Sequence, residues 1–187
     1  MEALLGIFSA FGLSASAGLN AYIPLLVVAL MARYTNLITL NPPYDVLTSW
    51  WIIALLIILS LVEFLVDKFP VINHVNDIIV QSFVRPAAGA IVFAASTNVI
   101  GEVNPILALA MGLLVAGSVH TVKTVAVRPA FTAVTGGAAN VPVSVAEDIT
   151  STTLSVLSVV LPVAVLSLLV IVFVYLIWYF FLRPSKH

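Results

Sequence analysis

Two apolar stretches of this chain are interrupted by small and polar residues where a helix in lipid would run on. One interruption is Ser14-Ala15-Ser16-Ala17-Gly18-Leu19-Asn20-Ala21-Tyr22-Ile23-Pro24. The other is Thr135-Gly136-Gly137-Ala138-Ala139-Asn140-Val141-Pro142. Each closes on an Asn followed shortly by a Pro. The constraint is severe because hydrocarbon offers no hydrogen bonds. A break at membrane depth persists only where protein or a wet cavity takes up the freed backbone groups. Paired breaks of this kind point to a binding or conducting site.

That hydrocarbon is the solvent follows from charge. Of the 187 residues 62% are hydrophobic and only 8% charged, where a soluble domain carries roughly 25% charged residues. So few charges cannot cover a surface in water. The net charge of -1 implies no basic face for nucleic acid. The absence of Cys removes disulfides, thiolate catalysis and Cys-based zinc sites together. A cleaved signal is not expected at the N-terminus. Ala15-Ser16-Ala17 resembles a peptidase site, but a signal wants a basic leading region and the only early charge is Glu2.

Each bilayer crossing needs about 20 apolar residues. On that measure Ala3 to Ala32 predicts one crossing containing the first break, and Arg33 to Asp45 a loop turning at Asn41-Pro42-Pro43-Tyr44-Asp45. Leu47 to Val66 predicts a second crossing, entered by Trp50 and Trp51 at headgroup level. Asp67 to Val84 mixes apolar and polar residues near helical spacing and reads as an amphipathic helix. Pro86 to Val99 is a short third crossing, Gly101-Glu102-Val103-Asn104 a turn, and Pro105 to Val122 the fourth. Ala130 to Ala146 holds the second break. Ile149 to Leu182 is the last helix, with Pro162 as a candidate kink and Tyr175, Trp178 and Tyr179 as an aromatic belt.

Topology hinges on the second broken segment. If it crosses, Lys68, Arg85, Lys123, Arg128, Arg183 and Lys186 share one side and only Arg33 falls on the other. That asymmetry fits the positive-inside rule with both termini cytoplasmic. If it is re-entrant, Arg183 and Lys186 move outside. The crossing is the preferred reading. Val84-Arg85-Pro86-Ala87 recurs as Val127-Arg128-Pro129-Ala130, which hints at two parallel hairpins, though four residues recur by chance.

Several residues are candidates for chemistry. Pro24 and Pro142 remove backbone donors, while Gly18, Gly136 and Gly137 permit non-helical torsions. Half-helix ends would then offer bare N–H or C=O groups to an ion or polar solute, with Asn20 and Asn140 beside them. The competing reading is a kinked helix with small residues for close packing, as the Gly12/Ser16 and Ser14/Gly18 spacing allows. Glu63 and Asp67 share a helix face, and His74 and Asp77 follow. Together these would ligate a divalent cation or relay protons. Against that stands interface solvation plus pairing with Lys68 and Arg85; Glu63 is the deepest and hardest to dismiss. His120 and Lys123 suit a helix C-terminus, and Glu147-Asp148 the N-terminus of the last helix. Glu147 and Asp148 also lie near enough to the second break to bind a cation there. Arg85 and Arg128 each precede a Pro suited to a first turn, the setting of an anion or lipid-phosphate site, or of ordinary anchoring.

No Gly-x-Ser-x-Gly, His-Glu-x-x-His or Walker loop occurs, so an enzyme is not expected. Gly18-Leu19-Asn20-Ala21-Tyr22-Ile23-Pro24-Leu25-Leu26 resembles the opening of a widespread bacterial membrane family, domain of unknown function 4126. The run from Thr132 through Thr135-Gly136-Gly137, Asn140, Pro142 and Ala146-Glu147 is similar to that family's most specific string. Glu63 to Asp67, Asp77 and Pro86-Ala87-Ala88-Gly89 also look similar. The chain departs by carrying Asn20 where a larger or basic residue is expected. The resemblance implies that the two broken segments belong to one pattern, and brings no activity or substrate.

The expectation is therefore a single all-α domain over residues 1–187, a polytopic membrane helix bundle of about six transmembrane segments. Two of these are interrupted and meet near mid-membrane. It would sit in the cytoplasmic membrane as a small transporter or channel for an ion or small solute. Gly18, Asn20, Glu63, Asp67, Gly136, Gly137, Asn140 and Glu147 would line the site, and Arg85 and Arg128 would meet lipid or anion. The alternative is a non-transporting lipid-binding or assembly protein. The partners expected are membrane lipids, the solute or ion, and a second copy of the chain, Gly112/Ala116 offering a small-residue face. No nucleic acid and no cofactor is expected.

Overall fold

A computed structural model describes residues 2–66, 81–97 and 103–179. Among them every regular element is helical and none is a strand. The helices are α1 (Glu2–Leu19), α2 (Tyr22–Tyr34), α3 (Trp50–Val66), α4 (Gln81–Thr97), α5 (Pro105–Val122), α6 (Arg128–Thr135), α7 (Asn140–Val160) and α8 (Pro162–Ile177). A 3-10 turn, Tyr44–Thr48, leads into α3, and a π turn, Lys123–Val127, joins α5 to α6. Asp67, Lys68, His74 and Asp77, the turn at Gly101-Glu102, and Arg183 and Lys186 lie outside the described residues.

The expected first crossing is two helices. Asn20 contacts Asp148 on α7, while Ser16 bonds Ser151 and Gly12 lies against Ser158. Met31 and Leu30 on α2 share a groove with Val156. Both helices thus run away from Asn20 in the same direction along α7, and the chain reverses at Asn20–Ala21. The start of α1 and the end of α2 consequently lie at the same end of the bundle.

Helix α1 sits at the centre and packs against α2, α4, α5, α7 and α8. Its residues 12–18 are buried all round. Only small side chains and one leucine occupy this stretch, which lets five neighbours approach one axis. Phe11 closes edge-on against Phe93 of α4, ring centroids 5.1 Å apart.

The later boundaries also differ from expectation. Helix runs without a gap over Pro105–Thr135. The π turn explains why Pro129 does not stop it. Arg128 N–H reaches five residues back to the Lys123 carbonyl, so the ladder has shifted before the residue that has no N–H to give. Arg85-Pro86 likewise lies inside α4 rather than opening it. Helix α7 begins at Asn140, nine residues before the expected Ile149, and ends at Leu161, where Pro162 opens α8.

Large apolar side chains lie on the outside as well as in the core, and polar ones are buried. Leu55, Ile58, Leu61 and Leu65 on α3, and Ile171, Phe173 and Val174 on α8, are exposed. Ser14, Ser16, Asn20, Glu63, Arg85, His120, Lys123 and Glu147 are buried. Two of the helices, Pro105–Thr135 and Asn140–Val160, are long and apolar enough to cross a membrane.

Candidate functional site

The polar interior concentrates where α1 gives way to α2. A helix end leaves backbone groups without partners, and here side chains supply them. Asn20 Oδ1 accepts from the Tyr22 and Ile23 amides, both at 3.1 Å, and the next residue, Pro24, has no N–H to satisfy. On the other side of the reversal, Lys123 Nζ donates to the Leu19 carbonyl at 3.2 Å. That places a cation at the negative end of α1. Gly18 sits against α5, and a Cβ there would fall 2.6 Å from the Ala116 carbonyl oxygen. Side chains thus take up the Tyr22 and Ile23 amides and the Leu19 carbonyl at this junction.

Charges from four further elements converge on it. Lys123 Nζ lies 2.9 Å from Glu147 Oε2, and Arg128 Nη2 lies 2.7 Å from the same oxygen. Asn20 Nδ2 donates to Asp148 at 3.0 Å. Beside this, Arg85 Nη2 pairs with Glu63 Oε1 at 2.9 Å, and both side chains are sealed from solvent. Arg85 Nη1 is 3.3 Å from His120 Nδ1. A guanidinium only donates, so Nδ1 must accept, leaving the imidazole neutral with its proton on Nε2, toward Ser82 Oγ at 3.4 Å. Three carboxylates (Glu63, Glu147, Asp148) thus face three cations (Arg85, Lys123, Arg128). Ions buried at this depth persist only when paired.

Away from this cluster the α1–α7 contact continues as hydroxyls. Ser16 Oγ reaches the Ser151 carbonyl at 2.8 Å, the Ser151 hydroxyl at 2.9 Å and the Ser155 hydroxyl. On the opposite flank of α7 a groove of about 410 Å³ opens sideways between α7 and the α2–α3 pair, with Asn20 and Asp148 at its polar end. Among the described residues no group of three or more His, Asp or Glu is placed to hold a metal ion.

The sequence profile of the family described as "Domain of unknown function (DUF4126)" matches residues 7–181. The chain belongs to that family. No curated protein and no solved structure matches it.

In this DUF4126 chain the candidate residues fall into two places. Asn20, Glu63, Glu147, Arg85 and Arg128 belong to the polar junction, and Gly18 packs next to it. Gly136, Gly137 and Asn140 form the tip of the α6–α7 hairpin. Gly136 and Gly137 take φ of +61° and +93°, a region open to glycine at little cost. Asn140 accepts from Thr132 Oγ1 at 3.0 Å. This tip does not line the groove beside Asn20. Asp67 lies outside the described residues. Lys123 and His120 look in the sequence like charges at a helix end, yet both belong to the junction. The signal available was that apolar residues continue beyond them, from Val125 to Val134, which marks them as lying within a helix.

Proposed function

We propose that this protein is a polytopic membrane protein that moves a small solute or ion across the bilayer at the polar junction of α1 and α2. One observation carries the reading: six charged side chains are gathered inside a bundle whose exterior is apolar. Ionisable groups inside a membrane are costly and are kept where they move or bind something polar. Counting α1, α2, α3, α4, α5 with α6, and α7 with α8 gives about six crossings. Arg85, Lys123 and Arg128 lie toward the Asn20 end of the bundle, and Arg33 lies at the end of α2 away from it. The positive-inside rule then turns the Asn20 end to the cytoplasm. In this reading the N-terminus lies on the far face, where a single broken crossing would keep it cytoplasmic.

The coupling group in this reading is Lys123. Its ammonium joins the end of α1 to Glu147, which Arg128 also holds. The lipid-binding alternative has less support: Arg85 is sealed against Glu63, and Arg128 is turned to Glu147. Purified protein in liposomes, screened for flux of ions and small metabolites, tests the proposal. Wild type should move at least one of them, and Lys123→Met should reduce that flux by tenfold or more while the protein remains folded. A wild-type protein that moves none overturns it.

A further inference from the structure

The groove beside Asn20 has a continuation. Further along the same two helices, Val27, Leu30, Met31 and Tyr34 of α2 and Val156 of α7 line an opening of about 460 Å³, the size of a small-molecule site. Ile23, Val27, Leu30 and Tyr34 recur every three or four residues and fall on one face of α2, as Ile149, Thr153 and Val156 do on α7. The two openings therefore follow one another along a single track. Leu61 and Phe64 of α3 join its walls, and both are exposed to the apolar exterior. From Ile23 to Tyr34 the track is roughly 16 Å long. The hydrocarbon of one leaflet, half of a bilayer core, is about 15 Å deep. The track thus has the length and the lining of a seat for an acyl chain.

The far end of the track selects the lipid. Trp50 and Trp51 are exposed there, and the Tyr34 ring meets that of Trp50 edge-on, centroids 6.3 Å apart. Such aromatics sit at headgroup level. Arg33 is exposed beside them. Its guanidinium lies 4.4 Å over the Trp50 ring, and Nη1 donates to the Thr48 carbonyl at 2.5 Å. Both contacts hold the group in place, and neither neutralises it. Arg85 faces Glu63, and Lys123 and Arg128 face Glu147. Among the described residues Arg33 makes no ion pair, not even with Asp45 in the turn before α3. A positioned guanidinium with donors to spare is suited to a phosphate. We infer that this track seats an acyl chain of an anionic phospholipid whose phosphate rests on Arg33. Phosphatidylglycerol suits it better than phosphatidylethanolamine, whose own ammonium offsets its phosphate. The site rests on the membrane reading above and not on transport, since Arg33 lies at the end of α2 away from the polar junction.

The test uses the full chain purified in detergent, with retained lipid counted by native mass spectrometry. The probes are phosphatidylglycerol, phosphatidylethanolamine and diacylglycerol with the same acyl chains. Wild type should hold phosphatidylglycerol most tightly, phosphatidylethanolamine less and diacylglycerol least. Arg33→Gln, at an exposed position, should lose about tenfold in phosphatidylglycerol affinity, as removal of one charge-assisted hydrogen bond predicts. Val156→Trp fills the groove and should weaken all three lipids, which serves if Arg33→Gln fails to fold. Equal retention of phosphatidylglycerol and diacylglycerol by wild type, or an unchanged preference in Arg33→Gln, overturns the site. So does a dimer that Val156→Trp breaks and saturating phosphatidylglycerol does not, because a second copy of the chain then fills the groove. Wild type that stays dispersed without detergent overturns the membrane reading and this site with it. A detergent-dependent protein that retains no lipid overturns the site alone, and lipid retention without flux counts against transport and leaves the site standing.

Discussion

The chain reverses at Asn20–Ala21 and again at Gly136–Gly137, and the two reversals are built on opposite plans. The first is buried, and its open backbone groups are taken by the Asn20 side chain and by a lysine from another helix. The second is exposed and nearly self-sufficient. Two glycines at positive φ turn the chain, Thr135 Oγ1 accepts from the Ala139 amide, and Thr132 bonds Asn140 eight residues on. A string of the form Gly, then Asn, then Pro therefore carries no fixed meaning. In one place it joins six charged side chains, and in the other it ends a hairpin.

The contrast can be broken most severely at the first reversal. Glu63→Leu removes a carboxylate from a sealed Arg85 and should cost about 3–5 kcal/mol of stability. The double variant Glu63→Leu/Arg85→Met should recover most of it, as seen by thermal unfolding in detergent. If the single variant unfolds like wild type, the pair is not the buried ion pair seen here. Asn20→Ala uncovers the Tyr22 and Ile23 amides and the partner of Asp148, for a loss of about 1–2 kcal/mol. Hydrogen exchange should rise at those two amides before any global unfolding. The smallest effect belongs to the second reversal. Gly136→Ala meets nothing within 4 Å and pays only for its left-handed torsion, about 1 kcal/mol. It should leave flux unchanged; a loss of flux would bring the tip back into the site.

Much of the helical plan was legible. Pro105 opens α5 as read, although helix runs on past Val122, and Leu47 to Val66 differs from α3 only by its opening turn. These are long apolar runs with plain ends, and Asn104 caps α5 by accepting from Ile106 and Leu107. The reversal at Asn20 was seen as a break but not as a change of direction. Hydropathy reports depth, not heading, and the small residues of α1 fit a kink as well as a central helix. The start of α7 was missed because Glu147 and Asp148 look like helix-opening acids. They are instead paired to Lys123, Arg128 and Asn20 across the fold, and no local pattern encodes such partners. Glu63 with Arg85 was weighed as a pair, since two opposite charges in so apolar a chain have few other choices. The groove was invisible, because its walls come from three helices.

The small-residue core of α1 also sets an order of events in synthesis. Helix α1 is made before α7, and Ser16 bonds Ser151 and Ser155, 135 and 139 residues further along. At a translation rate of about 5–20 residues per second, roughly 7–27 seconds pass before those partners exist. Until then residues 12–18 of α1 offer little bulk, and Ser16 lacks these partners. The growing chain must shelter this stretch until α7 has been made.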